Sequence, residues 1–150
     1  MAPVRWYGGK GQMLRKIIPH LTGGKVYVEP YCGAASCFFA KRPHPVEVLN
    51  DLDERIVGLF RVLQDPATFR AFAHRVRWTL YSLAEFRKAL ATLADPPNDP
   101  VARAWAFFVA QNQGFSGIAE TEGNWSRVFV SSRGMARTTC NWRGRLSLLR

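Results

Sequence analysis

The sequence predicts an α/β fold, the opening of a parallel sheet interrupted by a helical insertion. Two observations carry this. Residues 25–64 read strand, turn, helix, strand, turn, helix, and residues 65–113 then read as helices alone. In an open parallel sheet, ligands lie at the carboxyl ends of the strands, so the turns after the two strands are the first places to look for chemistry.

Each element has its own local reason. "GQMLRKIIPHL" (Gly11–Leu21) spaces apolar residues at 14, 17, 18 and 21, a helical period, and Gly23-Gly24 ends it. "KVYVEP" is short, β-branched and aromatic, which predicts a buried strand; "AASCFFAKR" (Ala34–Arg42) is expected to be the helix that follows. "PVEVLND" gives the second strand, ended by Asn50-Asp51, and "DERIVGLFRVLQ" a helix with apolar positions 56, 57, 59, 60 and 63. Asp65-Pro66 starts a helix that runs to Trp78. Ser82-Leu-Ala-Glu85 is a capping box, and Asp99-Pro100 supplies an N-cap and a first-turn proline. From Gly114 onward the glycines, serines and arginines read as loops, with one strand at "RVFVS". The expected organisation is an α/β portion over 1–64, a helical insertion over 65–113 and a basic, loop-rich segment over 114–150.

The chain has 150 residues, 47% hydrophobic and 13% aromatic, enough to build a core and too apolar for a disordered chain. Its formal net charge of +10 points to a polyanionic partner, nucleic acid or an anionic surface, or else to a protein that is simply basic. Gly123–Arg150 contains Arg127, Arg133, Arg137, Arg143, Arg145 and Arg150, interleaved with Trp125, Phe129 and Trp142, and no acid. Arginine among aromatics suits phosphate contact with base stacking, and equally a half-buried segment. The three cysteines, Cys32, Cys37 and Cys140, form no CxxC and no metal-ligand spacing, so reduced thiols and no metal are expected. The first residues lack the apolar core of a signal peptide, and no apolar run is long enough to span a membrane, so a cytoplasmic location is expected.

Three stretches carry candidate chemistry. In "VEPYCGAAS" only Gly33 stands in the turn, so it is no dinucleotide fingerprint; a small-residue turn still lets a ligand approach the backbone. Glu29 there either accepts hydrogen bonds from a cationic ligand group or caps the turn that Pro30 stiffens. "RWYGGKGQ" is not a phosphate-binding P-loop, because Lys10 is followed by Gly11 rather than Ser or Thr. Trp6 or Tyr7 could stack on a planar ring and Lys10 meet a carboxylate; alternatively the arm merely packs on the core. In "LNDLDE", Asp51 occupies the place where an acid takes ribose hydroxyls, or caps the next helix. Together these describe a ligand with an adenosine, a carboxylate and a cationic centre, and S-adenosylmethionine fits.

In this order, "RWYGGK", "VYVEPYCGAAS" and "VLNDLDERIVGLF" resemble the Dam-like (D12 class) DNA adenine-N6 methyltransferases, and "FFVAQNQGFSGIAETEGNWSR" resembles that class's glycine- and asparagine-rich loop. The resemblance runs from about Pro3 to the end of the chain. It implies part of a doubly wound S-adenosylmethionine-dependent methyltransferase fold with a helical target-recognition insertion. It also implies site-specific adenine methylation of DNA, of the kind used in restriction–modification. Trp6, Tyr7, Gly9, Lys10, Glu29, Pro30, Tyr31 and Gly33 would hold the methionine end of the cofactor and Asp51 its adenosine. Asn124, Trp125, Arg127, Arg133 and Arg137 would face DNA.

Transfer to an exocyclic amine also needs acceptors for the amine hydrogens and aromatics for the flipped base. In the family an Asp-Pro-Pro-Tyr sequence at a strand end supplies them. The chain's Asp-Pro-Pro is "LADPPNDP" (Asp95–Pro100), which follows a helical stretch and has Asn98 in place of the aromatic, so Asp95 is set aside as an interhelical turn. The chain is thus expected to stop before the catalytic strand. It is read as an amino-terminal methyltransferase portion, as a cofactor- or DNA-binding half completed by a second chain, or as a basic nucleic-acid-binding protein with relic motifs. The bare edge of an incomplete sheet makes self-association a further expectation.

Overall fold

The computed structural model describes residues 2–21, 23–115 and 121–126. Strand β1 (Val26–Glu29) pairs in parallel with β2 (Val46–Leu49), Val26 opposite Val46 and Glu29 opposite Leu49. Among the described residues these two strands make the whole sheet, so the architecture is helical with a small parallel sheet. The pairing continues beyond the strand ends. The Asn50 N–H donates to the Glu29 carbonyl at 3.0 Å and the Cys32 N–H to the Asn50 carbonyl at 2.9 Å. The two turns that follow the strands are thereby tied side by side.

The strand at "RVFVS" lies outside the described residues. The run expected over 11–21 is present as short helical turns, Lys10–Met13 and Ile18–His20 flanking α1 (Leu14–Ile17). Four longer helices follow: α2 (Glu54–Gln64), α3 (Pro66–Arg77), α4 (Leu83–Ala94) and α5 (Pro100–Gln113). The starts of α3, α4 and α5 fall at the capping residues read in the sequence, whereas α2 is capped by Asp53 rather than by Asp51. Asp53, Asp65, Ser82 and Asp99 each accept a backbone N–H from the first turn, and Pro66 and Pro100 occupy its opening positions.

One expectation fails. Residues 34–42 do not form a helix but a series of turns. Gly33 and Ala35 both take positive φ, +48° and +52°, a left-handed conformation that no right-handed helix contains. Isolated bonds, Phe39 N–H to the Ala35 carbonyl and Lys41 N–H to the Cys37 carbonyl, mark single helical turns that never join. Ala35 is wholly buried, so packing holds the strained backbone in place.

Helix α5 is the centre of the molecule. Apart from Arg103 it is buried from Ala102 to Gln113, on every face, and α2, α3 and α4 pack around it. Trp105, Phe107 and Phe108 are its largest buried side chains, and Phe72 of α3 meets Phe108 edge-on. The same core takes in Val4 of the N-terminal arm, Ala34 of the turn after β1 and Ile56 of α2. One core therefore runs across residue 64, where the α/β portion was expected to end.

The sheet is less covered. Tyr27 and Glu29 are buried on one face, while Val26, Val28, Val46 and Val48 stand half-exposed on the other. The buried face is polar. The Lys41 ammonium sits 4.1 Å from the Tyr27 ring centroid and pairs with the Glu47 carboxylate, whose Oε1 also accepts the His44 N–H at 3.0 Å.

Two outcomes test this account. Ser82→Ala should lower unfolding free energy by about 1 kcal/mol, read by urea denaturation, because α4 loses its N-cap. The Arg55 guanidinium beside Asp53, with the Arg55 N–H, holds the Asp53 carboxyl below the usual carboxylate range. A depressed pKa gives stability that is fully present above the unfolded value of about 4 and is lost as pH falls through the folded one. Asp53→Asn should therefore flatten the acid side of a stability–pH profile without changing its neutral plateau's dependence on pH.

Candidate functional site

The carboxyl ends of β1 and β2 open into a cleft of about 230 Å³, walled by the N-terminal arm, the turn after β1 and the Asp51–Leu52 turn after β2. It forms because a buried acid draws the arm over the strand ends. Glu29, only 5% exposed, accepts from Lys10 Nζ on Oε1 at 3.2 Å and from the Tyr27 hydroxyl on Oε2 at 2.9 Å. Lys10 Nζ donates as well to the Tyr31 carbonyl, 3.0 Å away, and so clamps the arm to the turn. Burial, then the bond to Glu29, pushes the Tyr27 phenol far above its ordinary pKa, so it stays a donor.

Close packing fixes the second wall. The Trp6 indole lies against Gly33 so tightly that a Cβ there would come within 2.7 Å of Trp6 Nε1. Its ring also meets Phe107 edge-on at 6.1 Å, which ties the cleft to the central helix. The Gly9 N–H closes a turn on the Trp6 carbonyl at 3.0 Å, and a Cβ at Gly9 would press on that same oxygen. Asp51 forms the third wall. Its Oδ2 accepts the Gly33 N–H at 2.7 Å and its Oδ1 the Asp53 N–H at 3.0 Å. Asp53, not Asp51, caps α2.

Trp6, Gly9, Lys10, Tyr31, Gly33 and Asp51 thus line one cleft. Glu29 lies beneath it, bonded to the lysine. Pro30 contributes its carbonyl, which accepts from Asn50 Nδ2 at 3.0 Å, and Tyr7 stands exposed outside the lining. Sequence reading missed Tyr27, although it shares Glu29's face of β1 by the two-residue period, and Leu52, which follows Asp51 and is 84% exposed at the cleft. It also missed Cys32 in the wall, whose thiol is pushed up by burial and then by the Asp51 and Glu29 carboxylates. That thiol is a packing group at neutral pH rather than a nucleophile.

The other candidates lie elsewhere. Asp95 ends α4 in an exposed interhelical turn, outside the cleft lining. The Asn124 carbonyl accepts the Phe115 N–H at 2.6 Å, and Trp125 is half-buried with its ring 6.0 Å from Tyr81. Arg127, Arg133 and Arg137 fall outside the described residues. Among the described residues no cluster of His, Cys, Asp and Glu could hold a metal, and no helix is long and apolar enough to cross a membrane.

Gly33→Ala tests the close packing. The added methyl meets the indole and the positive φ disfavours any side chain, so the variant should lose more than about 1 kcal/mol of stability. A red shift of tryptophan emission should accompany the loss as Trp6 leaves Gly33.

No curated protein matches the chain. Residues 6–124 match the D12 class N6 adenine-specific DNA methyltransferase family. The match begins at Trp6 in the arm, spans both strand-end turns and α2 through α5, and ends at Asn124. The chain therefore belongs to the D12 class of N6 adenine-specific DNA methyltransferases.

Proposed function

We propose that the cleft binds S-adenosylmethionine and that the chain serves methyl transfer to adenine N6 in DNA. The observation that carries the reading is the meeting of Lys10, Gly33 and Asp51 around one cleft at the carboxyl ends of parallel strands, where α/β folds place their ligands.

The donor set suits such a cofactor. Lys10, with its partly exposed ammonium, would meet the methionine carboxylate, and the Glu29 charge behind it favours a cationic centre nearby. Asp51 would take the ribose hydroxyls on lone pairs beyond those facing Gly33 and Asp53. Leu52 and Tyr31, both exposed at the rim, offer apolar surface for the adenine. The cofactor supplies an electrophilic methyl group. The residues of the chain bind it and fix its orientation. A volume of about 230 Å³ is below the roughly 300–1,000 Å³ of sites that enclose a small molecule, so the described walls cover the polar centre of the ligand and leave its ends to the rim.

The half-exposed valine face supports the further proposal that β1 and β2 belong to a doubly wound sheet, because parallel sheets are covered on both faces. In this reading the α/β portion over 1–64 holds the cofactor, and the helices over 65–113 with the basic residues beyond them hold DNA. The acceptor for the amine hydrogens comes from outside the cleft described here, on this chain or a second one. The location would be cytoplasmic.

Calorimetric titration with S-adenosylmethionine provides the test. The wild-type chain should bind, and Asp51→Ala should weaken binding about tenfold or more, as expected for loss of a charged hydrogen-bond acceptor. Circular dichroism should show the same helix content in both proteins. Equal affinity of the two would remove Asp51 from the site, and a folded wild type without affinity would refute the reading.

A further inference from the structure

We infer that the segment joining α3 to α4 is a DNA-contacting wedge, with Trp78 and Leu80 placed to insert at unstacked bases; the inference rests on the reading of DNA as substrate. Trp78 is 73% and Leu80 70% exposed, yet Thr79 between them is buried. Two large apolar side chains thus stand in water within three residues of each other, a small exposed apolar surface beside a cationic helix end.

The backbone that displays them is held from three directions. The Trp78 N–H bonds the His74 carbonyl at 3.3 Å. Thr79 Oγ1 donates to the Arg75 carbonyl and accepts from Trp105 Nε1, both at 2.8 Å, so the segment hangs from the central helix. Gln113 Nε2 donates to the Leu80 carbonyl at 2.9 Å. One residue further, the Tyr81 hydroxyl donates to the Ser126 carbonyl at 2.9 Å, which joins the segment to the loop carrying Asn124 and Trp125. A fixed backbone with free side chains keeps the entropy cost of inserting them low.

Charge selects the partner. From Pro66 to Ala84 the chain has Arg70, His74, Arg75 and Arg77 and no acid. Arg75 lies over the Trp105 ring at 4.3 Å, whereas Arg77 is exposed beside Trp78 and makes no ion pair among the described residues. A cationic helix end next to an aromatic–aliphatic pair matches a phosphate backbone with disturbed stacking. Apolar wedges of this kind hold a duplex open where a base has been displaced.

The test measures fluorescence anisotropy of a short labelled duplex of mixed sequence and of the same duplex with one abasic gap. Wild-type chain should bind both and prefer the gapped one. Trp78→Ala with Leu80→Ala should weaken binding to the gapped duplex about tenfold and abolish the preference, the loss expected for one base–aromatic stack. Trp78→Phe should keep the preference. Arg77→Gln should keep it too while making the salt dependence shallower by about one counterion. S-adenosylmethionine titration of each variant should match wild type, since none of these residues lines the cleft. An unchanged preference in the double variant, with cofactor binding intact, overturns the wedge and leaves the methyltransferase reading standing. Loss of self-association in sedimentation with DNA binding unchanged overturns it in favour of a protein contact. A wild type that binds neither probe nor cofactor overturns both.

Discussion

A carboxylate held away from water must be met by charge and hydrogen bonds, and most of the local architecture follows from meeting that need at Glu29. Leaving an ion uncompensated inside a protein costs several kcal/mol. Here both oxygens are engaged, one by Lys10 and one by the Tyr27 hydroxyl. Lys10 comes from the arm, so the arm must fold across the strand ends for Glu29 to be buried at all. That path also lays Trp6 on Gly33 and creates the cleft. The Tyr27 ring in turn lies under Lys41, itself paired with Glu47. Two ion pairs therefore share one aromatic residue, and the face of β1 turned inward is held by charge more than by apolar contact.

The helices stabilise this arrangement from behind. Because α5 is buried on all sides, whatever touches it becomes part of one core, and Trp6 touches it through Phe107. Val4 and Ala34 enter the same cluster. A wall of the cleft and the segment displaying Trp78 are thus anchored on one helix, through Phe107 and through Trp105 and Gln113. The proposed cofactor and DNA surfaces therefore share one helix as their anchor.

Much of this was legible in the sequence, and the physical reason is locality. Caps at Asp65, Ser82 and Asp99 depend on a side chain and an N–H two or three residues on, so a short window contains the whole interaction. The strands and their acid-bearing ends obey the same rule. The failure at residues 34–42 is the converse. Ala is the best helix former, yet Ala35 is forced to φ +52° within a turn that Asp51, distant in sequence, fixes through the Gly33 N–H. Which tryptophan faces solvent was equally invisible. Trp125 and Trp78 both stand near basic residues, and only tertiary packing puts the first against Tyr81 and leaves the second in water.

The same hydrogen-bond accounting bears on the chemistry. On the proposed reading, methylating an exocyclic amine requires an acceptor aimed at its hydrogens, so that its lone pair faces the methyl group. Glu29 lies beneath the cleft rather than in its lining, only 5% exposed and turned to the Lys10 ammonium and the Tyr27 hydroxyl. Asp51, the acid that lines the cleft, braces the turns after both strands with one oxygen each, and its position suits the far, ribose end of a cofactor. Asp95 sits in water at the end of α4 with Asn98 where an aromatic would be needed. On that reading the described cleft would hold and orient the methyl donor, and the acceptor that makes adenine N6 nucleophilic would reach its open side from another segment.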